Sequence, residues 1–225
     1  AERDAAAAAY FARSAEDWDR VRALHLPDAD IEAAMRAAAG PGPFDLMVDV
    51  GVGTGQTIAA FADRIRRAEG FDLSRPMLAV ARARLEANPA LAEVGVRIRL
   101  GDIYDPPVTP GTADLVTVQQ VLHFLSEPAR AVEAAAGLLS PGGVLVIVDF
   151  APHHLEFLRT AHAHRRLGFS AGEVSGWLSA AGLEAVRTKV LGTPPAHEDA
   201  GQGLQVLVWS ARRPVKPKKR GSVGS

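Results

Sequence analysis

Acidic residues stand at or near the ends of three segments that we predict to be β-strands, of which the first is a short apolar run. Asp49 lies near the end of the first segment, Asp72 closes the second, and Asp102 follows the third. Ionised carboxylates accept hydrogen bonds, and the hydroxyl groups of a ribose are donors that suit them. In an open α/β sheet, ligands bind outside the carboxyl ends of the strands. The three carboxylates therefore predict a site for a polar ligand at one edge of a sheet.

Three glycines follow the first of these segments at every second position. Gly51, Gly53 and Gly55 come directly before helical sequence, so they occupy a turn from a strand to a helix. Glycine tolerates a positive φ and has no Cβ, which lets the backbone turn sharply and lie against a ligand. The dinucleotide fingerprint G-x-G-x-x-G/A needs a small residue where this chain has Gln56. The turn thus departs from that fingerprint and has the pattern D-x-G-x-G-x-G.

This pattern resembles motif I of the class I S-adenosylmethionine-dependent methyltransferases. Four later segments follow the order and spacing of that family's motifs. These segments are the strand ending at Asp72, Gly101-Asp102-Ile103, the strand at 113–120 and Leu138 to Gly143. The resemblance implies an α/β, Rossmann-like fold with a seven-stranded, mostly parallel sheet flanked by helices. The strand order would be 3-2-1-4-5-7-6, with the last strand antiparallel. The implied cofactor is S-adenosyl-L-methionine, and the product is S-adenosyl-L-homocysteine.

The same resemblance implies roles for individual residues. Asp49 would orient the amino group of the methionine moiety, Asp72 would hold the ribose hydroxyls, and Asp102 would accept from the adenine amino group. The other residues that it places at the cofactor are Tyr10, Gly51, Gly53, Leu73, Met77, Ile103, Val118 and Gln119. A cap of a helix or turn is the alternative role for Asp72 and Asp102.

His123 is the candidate catalytic residue, because it follows the fourth strand near the expected position of the reactive methyl group. An imidazole titrates near neutral pH and suits a general base. The alternative is a residue of the pocket wall.

Four more histidines, His153, His154, His162 and His164, follow the fifth strand. Imidazole is a common zinc ligand, but positions i and i+2 do not share a helical face, and we predict no metal site. His153, His154 or Arg165 could orient a substrate, and a solvated surface is equally compatible with them.

Strands alternate with helical patterns from residue 44 onwards, which is typical of βαβ units and a parallel sheet. Helices are expected at about 56–67, 75–87, 128–138 and 171–181. We predict an N-terminal helical cap over 1–40, a cofactor-binding domain over 41–213 and a flexible basic tail over 214–225. Tyr10 and Trp18 in the first helix would cover the pocket or attach that helix to the core.

Composition limits the classes of function. The chain has 225 residues, 48% of them hydrophobic, and a formal net charge of -1, which gives no global attraction to nucleic acid or to an anionic membrane. Cysteine is absent from the sequence, so thiolate metal sites and thiol nucleophiles are excluded. No apolar run approaches the ~20 residues that span a bilayer, and we see no signal peptide, so the expected location is the cytoplasm.

A narrower resemblance suggests a second function. The strings YFARSAEDWDRVRALH and QQVLHFLSEPARA are similar to the methyltransferase-like part of bacterial winged-helix regulators of the arsenic-repressor type. The first hypothesis is therefore an enzyme that methylates a small-molecule acceptor. The alternative is a non-catalytic domain that senses the cofactor or its product for a DNA-binding regulatory domain. A nicotinamide-dependent dehydrogenase is a third class, which predicts binding of NAD.

Overall fold

The computed structural model describes residues 27–192 and 204–215. Seven strands form one sheet in the order β3-β2-β1-β4-β5-β7-β6. Their bounds are β1 Met47–Val50, β2 Arg67–Asp72, β3 Gly95–Leu100, β4 Ala113–Gln119, β5 Leu139–Phe150, β6 Glu184–Leu191 and β7 Val206–Arg212. The first five strands are parallel, and β7 runs antiparallel to both of its neighbours. The predicted strand order and the antiparallel last strand are confirmed.

Six α-helices connect or flank the strands within the described residues. They are α1 Asp28–Ala39, α2 Gln56–Ala60, α3 Arg75–Glu86, α4 Pro128–Gly137, α5 Phe157–Ala161 and α6 Ala171–Ala180. Short 3-10 turns lie at Ala62–Arg64, Pro89–Leu91 and Leu122–Phe124. None of the helices within these ranges is long and apolar enough to cross a membrane.

The core lies on both faces of the sheet. One buried cluster packs helices α1, α2 and α3 against one face of the sheet, including β5 and β7. It contains residues such as Ile31, Leu78 and Val146. The other joins α4 and α6 to the opposite face, through residues such as Val132 and Leu178. Burial on both faces explains why β1 is apolar except for Asp49.

Side-chain caps fix where two of the helices begin. The Ser74 hydroxyl accepts from the backbone N–H of Met77 at the start of α3. At the start of α6, Ser170 and Glu173 form a reciprocal capping box. Such caps satisfy backbone donors that have no partner within the helix. The predicted helices at 75–87, 128–138 and 171–181 agree with α3, α4 and α6 to within one residue.

The predicted helix at 56–67 is wrong in its second half. Helix α2 ends at Ala60, a single 3-10 turn follows, and the backbone is extended at Ile65. The cause is pairing with the segment before β1. The N–H of Phe44 donates to the carbonyl of Arg64, and the N–H of Arg66 donates to the carbonyl of Phe44. These long-range hydrogen bonds replace the helical ones, so tertiary pairing overrides the local helical pattern.

The ends of two strands also differ from the expectation, which placed the first strand at Phe44 to Val50 and the fifth at Val144 to Phe150. Phe44 forms only an isolated bridge with Ile65, and β1 begins at Met47. Strand β5 begins at Leu139, because Leu139 pairs with Ala113 and the N–H of Gly142 donates to the carbonyl of Arg213. Residues 139–143, which were expected to precede the fifth strand, are therefore part of it.

Candidate functional site

The glycine turn follows β1 and continues the pairing of β1 with β2. The N–H groups of Gly51 and Val52 both donate to the carbonyl of Phe71, at 2.9 and 3.0 Å. Gly51 has φ +71°, and a Cβ on it would lie 2.5 Å from a methyl group of Val121. Glycine is thus required at position 51 by the protein's own packing as well as by the backbone conformation. The close approach joins the turn to the segment after β4.

Asp72 lies at the end of β2 and faces this turn. One carboxylate oxygen accepts from the N–H of Gly53 at 3.1 Å, and the other accepts from the N–H of Ser74 at 2.8 Å. Burial raises the pKa of Asp72, and the hydrogen bonds from Ser74 and Gly53 act in the opposite direction. The two N–H groups hold the carboxylate in one orientation. Further lone pairs of its oxygens can accept hydrogen bonds from a ligand.

The residues around α3 differ in exposure. Leu73, next to Asp72, exposes 65% of its surface, whereas Met77 exposes 2%. A large exposed apolar side chain beside a half-buried carboxylate is suited to cover a ligand that has both polar and apolar parts. Met77 lies in the interior below it.

Asp102 and Ile103 lie in a turn directly after β3. The Asp102 carboxylate accepts from the N–H of Tyr104 at 2.9 Å, and Ile103 is buried in the core. The local bond to Tyr104 is the turn cap that the sequence analysis gave as the alternative role. It occupies one carboxylate oxygen and leaves the exposed side chain able to accept further hydrogen bonds.

Asp49, Val118 and Gln119 lie where β1 meets β4. Asp49 is 1% exposed, and its carboxylate accepts from the hydroxyl of Thr117 at 2.6 Å. The carbonyl of the Gln119 side chain accepts from the hydroxyl of Thr57 at 2.6 Å, which connects β4 to α2. Val118 is buried in the core beside them. The polar groups at this junction thus hold the first turn of α2 against the end of β4 and join β4 to β1.

His123 lies in the 3-10 turn after β4 and is paired with Asp149 near the end of β5. Its Nδ1 lies 2.7 Å from a carboxylate oxygen of Asp149, and the two side chains are 2% and 0% exposed. The backbone N–H groups of His123 and Phe150 also donate to this carboxylate. Because an ionised carboxylate only accepts, the tautomer of His123 that donates to it through Nδ1 has its lone pair on Nε2.

The sequence analysis missed the role of Asp149. A signal for it exists, because Asp149 interrupts the end of an otherwise apolar strand, as Asp49 does in β1. An acidic residue in that position needs a partner when it is buried. The parallel pairing of β4 with β5 places His123 as that partner.

The segment 151–169 returns over the turn that carries His123. The N–H groups of Arg165 and Arg166 donate to the carbonyl of His123, at 2.9 and 3.2 Å. The ring of His164 is buried, with its centroid 4.1 Å from that of the His123 ring. His153 is half-buried and His154 is exposed. Burial lowers the pKa of His162. Of the four later histidines, His164 is therefore the one packed against the candidate base.

Gln120 is a second residue that the sequence analysis did not select. It directly follows β4, has φ +52° and is 5% exposed. Both polar atoms of its side chain are buried and have no hydrogen-bond partner among the described residues. Positive φ is uncommon for residues other than glycine, and such residues cluster at functional sites.

The structure thus brings the predicted carboxylates and the candidate base to the carboxyl ends of four adjacent strands. Asp49, Asp72 and Asp102 lie at β1, β2 and β3, and His123 follows β4. Tyr10, with the rest of the predicted first helix, lies outside the described residues, as does the tail from residue 216.

Comparisons with known proteins agree with this arrangement. Residues 48–147 match the family model described as "Methyltransferase domain". A malonyl-[acyl-carrier protein] O-methyltransferase of Serratia marcescens is 28% identical over 156 residues, which are 69% of this chain and 57% of that protein. A trans-aconitate 2-methyltransferase of Methylobacterium radiotolerans is 34% identical over 171 residues, 73% of this chain and 59% of that protein. The chain therefore spans less than two thirds of the length of these two curated relatives.

Solved structures share the fold. The phosphoethanolamine N-methyltransferase 2 of Haemonchus contortus, in complex with S-adenosyl-L-methionine, superposes with a TM-score of 0.65 at 17% identity. The superposition covers 82% of this chain and 52% of that chain. Residues 48–147 thus match a methyltransferase-domain model, and the chain has the Rossmann-like fold of the class I S-adenosylmethionine-dependent methyltransferases.

Proposed function

We propose that the protein binds S-adenosyl-L-methionine and transfers its methyl group to a small-molecule acceptor, releasing S-adenosyl-L-homocysteine. The observation that carries this proposal is the row of carboxylates at the tips of β1, β2 and β3 around a glycine turn. Asp72 is the central one, because two backbone N–H groups fix its orientation. The two curated relatives are named as methyltransferases, which supports the reaction class.

The residues present fit the chemistry of this cofactor from one end to the other. We assign the ribose hydroxyls to Asp72, which has acceptor capacity beyond the bonds from Gly53 and Ser74. The adenine amino group is assigned to Asp102, with Leu73, Met77 and Ile103 on the apolar side of the ring. Asp49, Val118 and Gln119 then border the methionine moiety, beside the glycine turn with Gly51 and Gly53.

When bound, the sulfonium group supplies a methyl group that is already activated for attack. The protein must hold the acceptor atom in line with the carbon–sulfur bond and exclude water, and positioning of this kind can lower a barrier by several kcal/mol. The segment 151–169 packs over the end of β4 and is the wall that we assign to the acceptor side.

His123 is the proposed general base. As the acceptor oxygen or nitrogen forms its bond to the methyl carbon and the carbon–sulfur bond breaks, Nε2 of His123 takes the proton from the acceptor atom. Asp149 holds the ring by its Nδ1–H and stabilises the imidazolium that results. Asp149 is therefore a positioning residue in this proposal.

Two measurements test the proposal. In calorimetry, we expect S-adenosyl-L-homocysteine to bind and NAD to give no heat of binding; the reverse result would favour a dehydrogenase. With S-adenosyl-L-methionine labelled on its methyl group, we expect label to enter one or more compounds of a metabolite extract. Cofactor binding without transfer to any of a broad panel of acceptors would instead favour the sensing domain of a regulator.

A further inference from the structure

Two consecutive glutamines at the end of β4 have opposite environments. The Gln119 side chain accepts a short hydrogen bond from the Thr57 hydroxyl, at 2.6 Å. The Gln120 side chain is 5% exposed, and neither its Oε1 nor its Nε2 has a partner among the described residues. The same residue type is thus satisfied by the protein at one position and left unsatisfied at the next.

The backbone conformation of Gln120 is unfavourable for stability, in addition to its buried and unpaired side-chain amide. Its φ of +52° lies in the left-handed region, which residues other than glycine rarely adopt. Native proteins pair most of their buried polar groups, so each unpaired group needs an explanation. A glutamine that is unfavourable in both backbone and side chain is of the kind that function retains against stability.

The position of Gln120 suggests which function. Its N–H donates to the carbonyl of Val148 at 2.7 Å, so it lies beyond the tip of β4 on the side of β5. The next residue, Val121, packs against the glycine turn at Gly51. Three residues after Gln120, the ring of His123 is bonded to Asp149. Gln120 therefore lies between the turn assigned to the cofactor and the candidate base.

We infer that the Gln120 carboxamide binds the methyl acceptor. This inference rests on the proposed function, because it places the acceptor between the cofactor and His123. The residues assigned to the cofactor lie on or after β1, β2 and β3, in α3, and on β4 as far as Gln119. The region beyond the end of β4, where the Gln120 backbone is bonded to β5, is left for the second substrate.

The chemistry of a carboxamide limits what it binds. It offers two N–H donors and one carbonyl acceptor, without a formal charge. A carboxylate would satisfy only the donors and would leave Oε1 buried without a partner. The group that fits both is neutral and both donates and accepts a hydrogen bond, as a primary amide, a lactam or a hydroxyl group does. The proposed acceptor carries such a group near the atom that is methylated.

Matched substitutions of the two glutamines test whether Gln120 is retained for binding. Methionine has a similar unbranched length without the amide, so Gln120→Met removes an unpaired polar group. We expect it to raise the Tm of the protein without ligand by about 2–8 °C. Gln119→Met removes the partner of Thr57 and should lower the Tm. The affinity of Gln120→Met for S-adenosyl-L-homocysteine should stay within about twofold of the original, since its amide is assigned to the other substrate.

Two results would overturn the inference. A Tm that falls in Gln120→Met as it does in Gln119→Met would show that the Gln120 amide stabilises the folded protein in the absence of a ligand. A cofactor affinity that falls severalfold in Gln120→Met would assign the amide to the cofactor. Both measurements are independent of turnover, so an inactive protein would contradict the proposed function without deciding the role of Gln120.

The ligand class is tested by nuclear magnetic resonance of the side-chain amide signals in the complex with S-adenosyl-L-homocysteine. Acetamide, acetone and acetate serve as small probes that differ in donors, acceptors and charge. We expect acetamide to shift the Gln120 signals more than acetone or acetate does, with the Gln119 signals as an internal reference. An equal or larger response to acetate would overturn the assignment of a neutral ligand group.

Discussion

The two ends of the site hold their polar side chains by different means. At β2 and β3, the carboxylates of Asp72 and Asp102 accept from backbone N–H groups of the turns around them. At β4 and β5, His123 is held by the side chain of Asp149, and the side-chain amide of Gln120 has no hydrogen-bond partner among the described residues. The part of the site proposed for the ribose and adenine is thus oriented by main-chain groups, whereas the part proposed for the acceptor has a histidine oriented by the side chain of Asp149, which a substitution can change. Under the proposed function, substitutions at β4 and β5 can change the methyl acceptor, while the site for the methyl donor stays the same.

Loss of the candidate base should have the largest effect and should be confined to the acceptor end. Asn is the chosen replacement, because its side-chain N–H can still donate to Asp149. We expect His123→Asn to lower kcat by about 10²–10⁴, the usual contribution of general acid–base catalysis. Calorimetry should find the affinity for S-adenosyl-L-homocysteine unchanged. Turnover close to the original rate would remove His123 from the mechanism.

Gly168 tests how tightly the segment 151–169 is closed over the acceptor end. It has φ +84°, and a Cβ on it would lie 2.0 Å from the backbone oxygen of Ala151. We expect Gly168→Ala to reduce the free energy of unfolding by about 2–5 kcal/mol, from backbone strain and overpacking together.

Gly111→Ala is the matched control for this substitution. Gly111 has φ +74°, but a Cβ on it would meet nothing within 4 Å. Its cost should be the backbone term alone, about 1–2 kcal/mol. Urea denaturation measures the free energy of unfolding of both variants. Equal reductions would mean that the backbone around residue 168 shifts to accommodate the added Cβ at little cost.

Asp72 tests the cofactor end. We expect Asp72→Ala to weaken binding of S-adenosyl-L-homocysteine tenfold or more, on the order of 1.5–3 kcal/mol for a lost charged hydrogen-bond partner. Asp63→Ala is the control, because Asp63 is a 65% exposed carboxylate paired with Arg36. Calorimetry should find its affinity unchanged. A dissociation constant that stays the same in Asp72→Ala would contradict the ribose assignment.

The pH dependence of binding should show a smaller effect at the same residue. Burial raises the pKa of Asp72, so its carboxylate is protonated at a higher pH than an ordinary aspartate. Because the ribose hydroxyls donate to the ionised form, affinity for S-adenosyl-L-homocysteine should fall severalfold as the pH drops through this raised pKa. A calorimetric pH series should show the fall, and Asp72→Asn should flatten it. The same fall in Asp72→Asn would assign it to another group.

The stability of the protein without ligand should have the opposite dependence on pH. A folded-state pKa above the unfolded value means that the folded state holds the proton more tightly. The contribution of Asp72 to stability therefore decreases as the pH rises from the ordinary aspartate pKa to the raised one. It is most unfavourable above that window, where the carboxylate is ionised and buried. The difference in unfolding free energy between the protein and Asp72→Asn should follow this course.

Sequence reasoning was reliable where short-range patterns decide the structure. Helices α3, α4 and α6 followed from helical patterns between the predicted strands, whereas the strand order was implied by the resemblance to the methyltransferase family. The sequence could not predict contacts between distant segments. Pairing of Phe44 with Arg64 and Arg66 ended α2 early, and Asp149 is 26 positions from its partner His123. The environment of Gln120 depends on the packing of β4 against β5, which its neighbours in the chain do not encode.

A crystal structure of the complex with S-adenosyl-L-homocysteine tests the central claim most directly. The account predicts the ribose hydroxyls on the Asp72 carboxylate, the adenine beside Asp102 and Ile103, and the sulfur near the end of β4. Density for the nucleoside elsewhere on the molecule, with the Asp72 carboxylate bonded only to Gly53 and Ser74, would contradict it.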